Sequence, residues 1–152
     1  MIKEILISNN ITNFSEQEVL NGYPEKDIPS ILIPNIAPTL KLLQMIRTAI
    51  GKPIIVHSTY RDKNHNEECG GKPESLHLSF NAIDFAPVNT SLTQLEAIYN
   101  DLLRGKYSFD FTFHGKPLKV NHLHFGIGLY HTFIHIDTRG LLGRLSPAVW
   151  RG

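Results

Sequence analysis

Five consecutive residues constrain this chain more than any others: Phe133 to Asp137, with the sequence FIHID. Apolar and polar residues alternate along the segment, which predicts a β-strand with one face in the core. Residues i and i+2 of a strand face the same side, so His135 and Asp137 share one face while Ile134 and Ile136 point into the core. A carboxylate buried beside a histidine must be paired or bind a metal to offset its desolvation. The segment therefore predicts polar chemistry on one face of an otherwise apolar strand.

A second stretch, with the sequence SLHLSFNAID, places His77 seven residues before Asp84. Taken alone, a loop histidine near an aspartate is more often a chance surface arrangement, and His135 alone is more often a core histidine. Together they offer two imidazoles and one carboxylate, a set typical of catalytic zinc sites in which water takes the fourth position. A purely structural zinc site is disfavoured, because such sites use four protein ligands and are rich in cysteine, whereas this chain has only Cys69.

Composition and charge exclude several classes of protein. The formal net charge of +1 argues against nucleic acid or an anionic membrane as a partner held by bulk electrostatics. No segment approaches the ~20 apolar residues of a membrane span. The first residues, MIKEILISNNITNF, lack the apolar run of a signal peptide, so we expect a soluble protein synthesised without one. With 152 residues and no convincing linker, we expect a single domain over residues 1–152.

Periodicity and capping signals predict an α+β fold, with helices early and a small antiparallel sheet formed mainly by the second half of the chain. Helices are expected from the capping box at residues 15–18, over the apolar stripe of residues 36–50, and over residues 91–103. Residues 62–75, which contain two adjacent glycines and a proline, are expected to form a loop, and residues 141–152 a loop or helical turn. Strands are predicted at residues 53–57, 81–85, 107–113, 119–129 and 133–138. The fourth of these strands would place His122 and His124 on a half-exposed sheet edge.

Two groups of residues follow a recognisable order along the chain. The first group fits the pattern S-x-Y-R, N, G-G, S-x-H and A-x-D, with Ser58, Tyr60, Arg61, Asn66, Gly70, Gly71, Ser75, His77, Ala82 and Asp84. The second fits G-x-G-x-Y and F-x-H-x-D, with Gly126, Gly128, Tyr130, Phe133, His135 and Asp137. Over roughly residues 13–139 the chain resembles the zinc D-Ala-D-Ala peptidase family of carboxypeptidases and peptidoglycan endopeptidases. The hedgehog N-terminal signalling domain shares the fold of that family.

The resemblance implies a role for several residues. The zinc ligands would be His77, Asp84 and His135. Arg61 would bind a peptide carboxylate or the developing oxyanion, because its planar guanidinium can donate two parallel hydrogen bonds. The alternative for Arg61 is a loop arginine paired with Asp62 or Glu68.

Two positions depart from the family pattern. Many relatives carry a glutamate three residues before the last histidine ligand, where this chain has Thr132. Asp137 is then the first candidate for the general base and His131 the reserve, since both are in phase with His135. Asp137 has the alternative role of orienting His135 through a hydrogen bond.

Phe80 replaces a glycine between the first two ligands. At a positive φ it would cost roughly 1–2 kcal/mol, and it could fill part of the substrate cleft.

The resemblance implies a zinc peptidase that hydrolyses an amide bond in peptidoglycan stem peptides, as a carboxypeptidase or as an endopeptidase of the phage lysin type. Its expected cofactor is Zn²⁺, its expected partner is a peptidoglycan peptide, and its expected place of action is the bacterial cell wall or a phage particle. The alternative is a binding module of the same fold that keeps zinc but has lost catalysis. Thr132 and Phe80 both favour that alternative.

Overall fold

The structure is a computed structural model that describes residues 1–152, and its architecture is α+β. The helices are α1 (Ile2–Ser8), α2 (Glu16–Leu20), α3 (Ile36–Ile50), α4 (Lys63–Glu68) and α5 (Leu92–Leu103). The strands are β1 (Ile54–Ser58), β2 (Ala82–Pro87), β3 (Phe109–Phe113), β4 (Lys116–Val120), β5 (Gly126–Leu129), β6 (Ile134–Asp137) and β7 (Ala148–Arg151). None of the helices combines the length and apolar content that crossing a membrane requires.

Five strands form one sheet in the order β1-β2-β6-β5-β7, and β3 with β4 forms a separate hairpin. Neighbouring strands of the large sheet are antiparallel except β5 and β7, which are parallel, so the sheet is mixed rather than wholly antiparallel. Asp84 of β2 and Gly128 of β5 flank His135 of β6 on its two sides. The register therefore places His135 in the middle of the sheet.

One face of the sheet is apolar and packs in the core of the protein. Ile134 and Ile136 are fully buried, as their alternation with polar residues predicted, and Ile83 of β2 lies beside them. These side chains share one core with the buried faces of α3 and α5. Since the alternate residues of a strand point to the other face, that face carries Asp84, His135 and Asp137.

Three helices follow the local signals that predicted them. Helix α2 opens with a complete capping box, in which the Ser15 hydroxyl and the Glu18 carboxylate each accept a hydrogen bond from the other residue's backbone amide. Helix α3 ends at Gly51 in the left-handed conformation, with φ of +63°. Helix α5 begins after Ser91, whose hydroxyl accepts from the Gln94 amide. Each of these ends satisfies backbone groups that the helix itself leaves unpaired.

Four segments differ from the sequence-based expectation. Residues 62–75 contain α4, because the Asp62 carboxylate caps that helix by accepting from the His65 amide. Residues 119–129 form two strands separated by a short 3₁₀ turn at His122–His124, which is capped by Asn121, so these histidines do not lie on a strand. Residues 148–151 of the tail form strand β7 rather than a loop. Helix α1 lies where the sequence had indicated no helix.

Candidate metal centre

Three residues that the sequence singled out lie together on the polar face of the large sheet. Asp84 and His135 are direct cross-strand partners on β2 and β6, and His77 reaches them from the loop before β2. One ligand atom from each residue lies within 4.8 Å of the others. The loop is held in place because the Ser75 hydroxyl accepts from the His77 amide and the Arg61 amide donates to the His77 carbonyl.

The ring of His77 presents one nitrogen to the centre. Its Nδ1 lies 2.6 Å from the Thr59 carbonyl oxygen, which can only accept, so Nδ1 carries the proton. Its Nε2 is buried and has no hydrogen-bond partner. Although Nε2 lies 3.1 Å from Asp84 Oδ1, the angle is not that of a hydrogen bond. The geometry therefore leaves a buried lone pair beside the carboxylate without a hydrogen-bond partner, which is an arrangement that a metal ion would satisfy.

The ring of His135 is fixed in the same way by a different acceptor. Its Nε2 lies 2.7 Å from Asp137 Oδ2, and its Nδ1 lies 2.9 Å from Asp84 Oδ1. With Nε2 donating to the Asp137 carboxylate, Nδ1 is the atom available as a ligand. Each candidate histidine thus has its outer nitrogen committed to an oxygen acceptor and its inner nitrogen facing Asp84.

The spacing of these atoms fits a small divalent ion. A tetrahedral zinc ion with ~2.1 Å bonds requires donor atoms about 3.4 Å apart. Asp84 Oδ1 lies 3.1 Å from one imidazole nitrogen and 2.9 Å from the other, so a small outward shift would admit the ion. The donor set of His77, Asp84 and His135 contains two nitrogens and one oxygen, and it leaves a fourth position for water or substrate, as in catalytic zinc sites.

Mutual ion pairing shifts the pKa values of three groups at the centre. Burial raises the pKa of Asp84, but the hydrogen bond with His135 and the His77 ring at 3.1 Å outweigh burial and hold it well below its usual range. Burial likewise raises the pKa of Asp137, and the hydrogen bonds from His135 and Arg139 again hold it well below that range. Burial lowers the pKa of His135, yet its hydrogen bonds with Asp137 and Asp84 raise it to about 9. In the metal-free protein His135 is therefore an imidazolium, and a bound metal would displace its Nδ1 proton.

Arg61 lies at the centre. It pairs with Asp84 and not with Asp62 or Glu68, the partners expected of a loop arginine. One terminal nitrogen lies 3.3 Å from Asp84 Oδ2, and Nε donates to the Ser58 hydroxyl at 3.2 Å. The guanidinium therefore holds the carboxylate oxygen that faces away from the two histidines. Its side chain is 15% exposed, so Arg61 is not wholly buried at the centre.

Asp137 is surrounded by donors. Its Oδ1 accepts from the backbone amides of Gly126 and Arg139 and from Arg139 Nε, and its Oδ2 accepts from the other end of the Arg139 guanidinium and from His135. The carboxylate is completely buried. Between the two roles that the sequence left open, these contacts favour orientation of His135 over proton transfer.

Sequence reasoning missed Arg139 and Trp150, which both contact this group. A side-chain carbon at Gly126 would lie 2.5 Å from the Asp137 carboxylate, and one at Gly128 would lie 2.4 Å from the Trp150 indole. Both positions therefore need the absence of a side chain. The signal available in the sequence was the alternating G-x-G of β5. Its two glycines lie opposite Asp137 and His135 of β6, which indicates that bulky side chains pass over β5 at this point.

The remaining predicted residues lie further from the three ligands. His131 and Thr132 form the exposed two-residue turn between β5 and β6, closed by the hydrogen bond from the Tyr130 amide to the Phe133 carbonyl. Phe80 has a φ of +55°, as a replaced glycine would require, but its ring is fully buried. It packs edge-to-face on Tyr60, so it fills core space and not a cleft.

A cavity of about 650 Å³ lies elsewhere, between α1, α3 and the β3–β4 hairpin. The polar groups around it include Glu4, Lys41, Asp110 and His114, and they do not form a metal-binding group of three. We place the candidate site at the His77–Asp84–His135 centre, because chemistry follows from converging donor atoms and not from cavity size.

Comparison with known families finds one family whose profile covers most of the chain. The profile of the family described as Peptidase M15 matches residues 12–124, about three-quarters of the chain. The matched span includes Arg61, His77 and Asp84 and ends before His135. No curated protein matches the chain.

Proposed function

This chain belongs to the peptidase M15 family, and we propose that it is a zinc-dependent peptidase that hydrolyses an amide bond in peptidoglycan stem peptides. The observation that carries the proposal is the convergence of three donor atoms whose outer hydrogen bonds are already made. His77 Nε2, Asp84 Oδ1 and His135 Nδ1 face one another, while Thr59 and Asp137 hold the outer ring nitrogens. We propose that residues 1–152 act as one peptidase domain.

These three residues would hold the ion. When bound, zinc supplies Lewis acidity and an activated water for amide hydrolysis near neutral pH. The protein contributes the fixed tautomers of both imidazoles, because neither ring can rotate without losing its outer hydrogen bond. Arg61 holds the second oxygen of Asp84, which favours a carboxylate that offers a single oxygen to the ion.

Arg61 has a second task in this proposal. Its side chain is partly exposed beside the centre. Guanidinium groups bind carboxylates and developing oxyanions through paired hydrogen bonds. A stem peptide ends in a carboxylate and offers the carbonyl to be attacked, so it supplies both kinds of group. We assign Arg61 to substrate binding in addition to its contact with Asp84.

Proton transfer is the step for which the chain offers the fewest groups. Asp137 already accepts five hydrogen bonds, and Thr132 at the usual glutamate position cannot serve as a base. His131 lies in the exposed turn of the same hairpin, where no hydrogen bond restrains its ring. If Asp137 is confined to orienting His135, His131 is the remaining candidate for the proton acceptor among the residues that the sequence proposed.

The test is digestion of purified peptidoglycan by the zinc-loaded protein, with mass analysis of the released peptides. We expect release that stops when a chelator removes the zinc and resumes when zinc is restored. His77→Ala should lose most of the bound zinc and the activity. His114→Asn is the matched control, since His114 is exposed in the β3–β4 turn and asparagine tolerates its positive φ of 49°. Stoichiometric zinc in His77→Ala would refute the metal assignment.

A specific observation favours a second candidate function. The saturation of Asp137 and the exposed Thr132 leave the centre without an evident strong base, as expected for a binding module that retains zinc without catalysis. The same digestion separates the two functions. Stoichiometric zinc with no peptide released, together with co-sedimentation of the protein with peptidoglycan, would favour the binding module.

A further inference from the structure

A second group of side chains supports the metal centre from the side of β5 and β7. Its members are Arg139, Trp150 and Tyr130, and all three lie beyond residue 124, where the family match ends. None of them offers a ligand atom to the ion. Arg139 contacts Asp137, Trp150 contacts His135, and Tyr130 contacts Trp150.

Arg139 holds Asp137 at both oxygens. Its Nε lies 3.0 Å from Oδ1, and a terminal nitrogen lies 2.9 Å from Oδ2. Its backbone amide adds a third hydrogen bond to Oδ1 at 3.0 Å. These two contacts fix the plane of the carboxylate. They therefore also fix the direction from which Oδ2 accepts the hydrogen bond of His135 Nε2. A lysine could neutralise the charge but could not fix the plane.

Trp150 packs against both His135 and Arg139. Its ring centre is 5.2 Å from that of His135, at an interplanar angle of 48°, and the Arg139 guanidinium carbon lies 5.2 Å from the indole. The indole Nε1 donates to the Tyr130 hydroxyl at 2.9 Å, which sets the orientation of the ring. Gly128, opposite Trp150 in the parallel β5–β7 pairing, provides the space that the indole occupies.

We propose that Arg139 and Trp150 are positioning residues for the metal centre. They hold Asp137 and the ring of His135 so that Nδ1 faces Asp84, and strand β7 thereby becomes part of the metal site without contributing a ligand. The inference rests on metal binding at His77, Asp84 and His135, as proposed above.

A purely structural role would have a different signature. If these side chains only packed the edge of the sheet, their substitution would lower the melting temperature and leave zinc affinity unchanged in the folded protein. A positioning role requires weaker zinc binding even where the protein is fully folded, because the ring of His135 would no longer be held.

Arg151 provides the matched control. It lies next to Trp150 on β7, pairs with Glu96 at 3.8 Å and covers the ring of Tyr99, so it also combines a carboxylate and an aromatic partner. Alternate residues of a strand face opposite sides, so Arg151 lies on the face away from the metal centre.

The experiment measures the zinc dissociation constant by competition with a chromophoric chelator, together with the melting temperature of the metal-free protein. We expect Arg139→Lys to weaken zinc binding by roughly 10–100-fold, the range found when outer hydrogen-bond partners of metal ligands are changed. Trp150→Phe should weaken it by several-fold, and Arg151→Lys should leave it unchanged. The visible spectrum of the cobalt-loaded protein should change for Arg139→Lys and not for Arg151→Lys.

Zinc affinities within about twofold of the parent for both Arg139→Lys and Trp150→Phe, in folded protein, would overturn the proposal. If Arg139→Lys does not fold, Tyr130→Phe decides, because it removes only the acceptor of the indole N–H and keeps the stacking of its ring on Phe133. A weaker zinc affinity in that variant supports positioning, and an unchanged affinity overturns it. Failure of the proposed function would show earlier, as a parent protein that binds no zinc or releases no peptide.

Discussion

Replacement of Asp137 by asparagine separates the two roles of this carboxylate. An asparagine keeps the shape of the side chain but has one acceptor oxygen and one donor amide. If its oxygen takes the place of Oδ1, where three N–H groups converge, its amide faces His135 Nε2 and the Arg139 guanidinium. His135 must then accept at Nε2 and carry its proton on Nδ1. Because that proton occupies the atom that would bind the ion, we expect the substitution to weaken zinc binding.

The magnitude follows from the contacts that change. Loss of the outer partner of a metal-bound histidine typically costs 10–100-fold in metal affinity, or about 1.4–2.8 kcal/mol. The substitution also removes the charge that pairs with Arg139. Breaking a buried ion pair costs about 3–5 kcal/mol of folding free energy. Since the Arg139 side chain is 18% exposed and can be partly hydrated, we expect the lower end of that range.

The assay measures zinc affinity by chelator competition and kcat on peptidoglycan at saturating zinc. We expect Asp137→Asn to bind zinc 10–100-fold more weakly and to recover a large part of kcat when zinc is in excess. Asp110→Asn is the control, because its side chain is 88% exposed and pairs only with Lys119. Unchanged zinc affinity with a fall in kcat of about 10²–10⁴-fold would refute this reasoning and make Asp137 the general base.

Three further predictions concern single groups. Arg61→Lys should lower kcat/KM at least tenfold with zinc still bound, because one ammonium cannot replace a guanidinium that contacts Ser58 and Asp84 and is proposed to bind substrate. An unchanged rate would limit Arg61 to holding Asp84. Phe80→Gly should destabilise the fold by roughly 1–4 kcal/mol in chemical denaturation, because losing a buried phenyl ring costs about 3–5 kcal/mol and relief of the positive φ returns only ~1–2 kcal/mol. A more stable variant would contradict this. The pKa of His135 is raised to about 9 in the metal-free fold. Protonation of His135 therefore stabilises that fold, and this contribution is complete below the ordinary histidine pKa of 6.5. The contribution is lost as the pH rises through about 9. Calorimetry should therefore show the melting temperature of the metal-free protein falling between pH 7 and pH 10 by more than that of the zinc-loaded protein, and equal falls would refute the assignment.

The sequence predicted the features of the fold and site that depend on short-range patterns. A strand repeats every two residues, so FIHID alone indicated that His135 and Asp137 share a face and that Ile134 and Ile136 enter the core. Helix caps are equally local, which is why α2, α3 and α5 were found near their actual ends. The signals for α4 were also present at Asp62, but the glycines and proline that follow outweighed them.

Other features depend on contacts between distant parts of the chain. The pairing of Asp84 with His135 requires the register of β2 against β6, and no single segment encodes that register. Arg139 is only two residues from Asp137, but it reaches that carboxylate because the chain turns back immediately after β6, in a 3₁₀ turn. Trp150 reaches His135 only because the tail adds a parallel strand beside β5, and parallel pairing leaves no local turn signal.

The two candidate functions share a metal centre and differ in the proton acceptor. A general base is most effective when its pKa lies near the working pH, whereas hydrogen bonds from His135 and Arg139 hold the pKa of Asp137 well below its usual range. To accept a proton, Asp137 would also have to release one of its five donors. The contacts that make Asp137 a good support for His135 therefore make it a weak base. Zinc stoichiometry alone consequently does not distinguish an enzyme from a binding module with this centre, whereas the products released from peptidoglycan do.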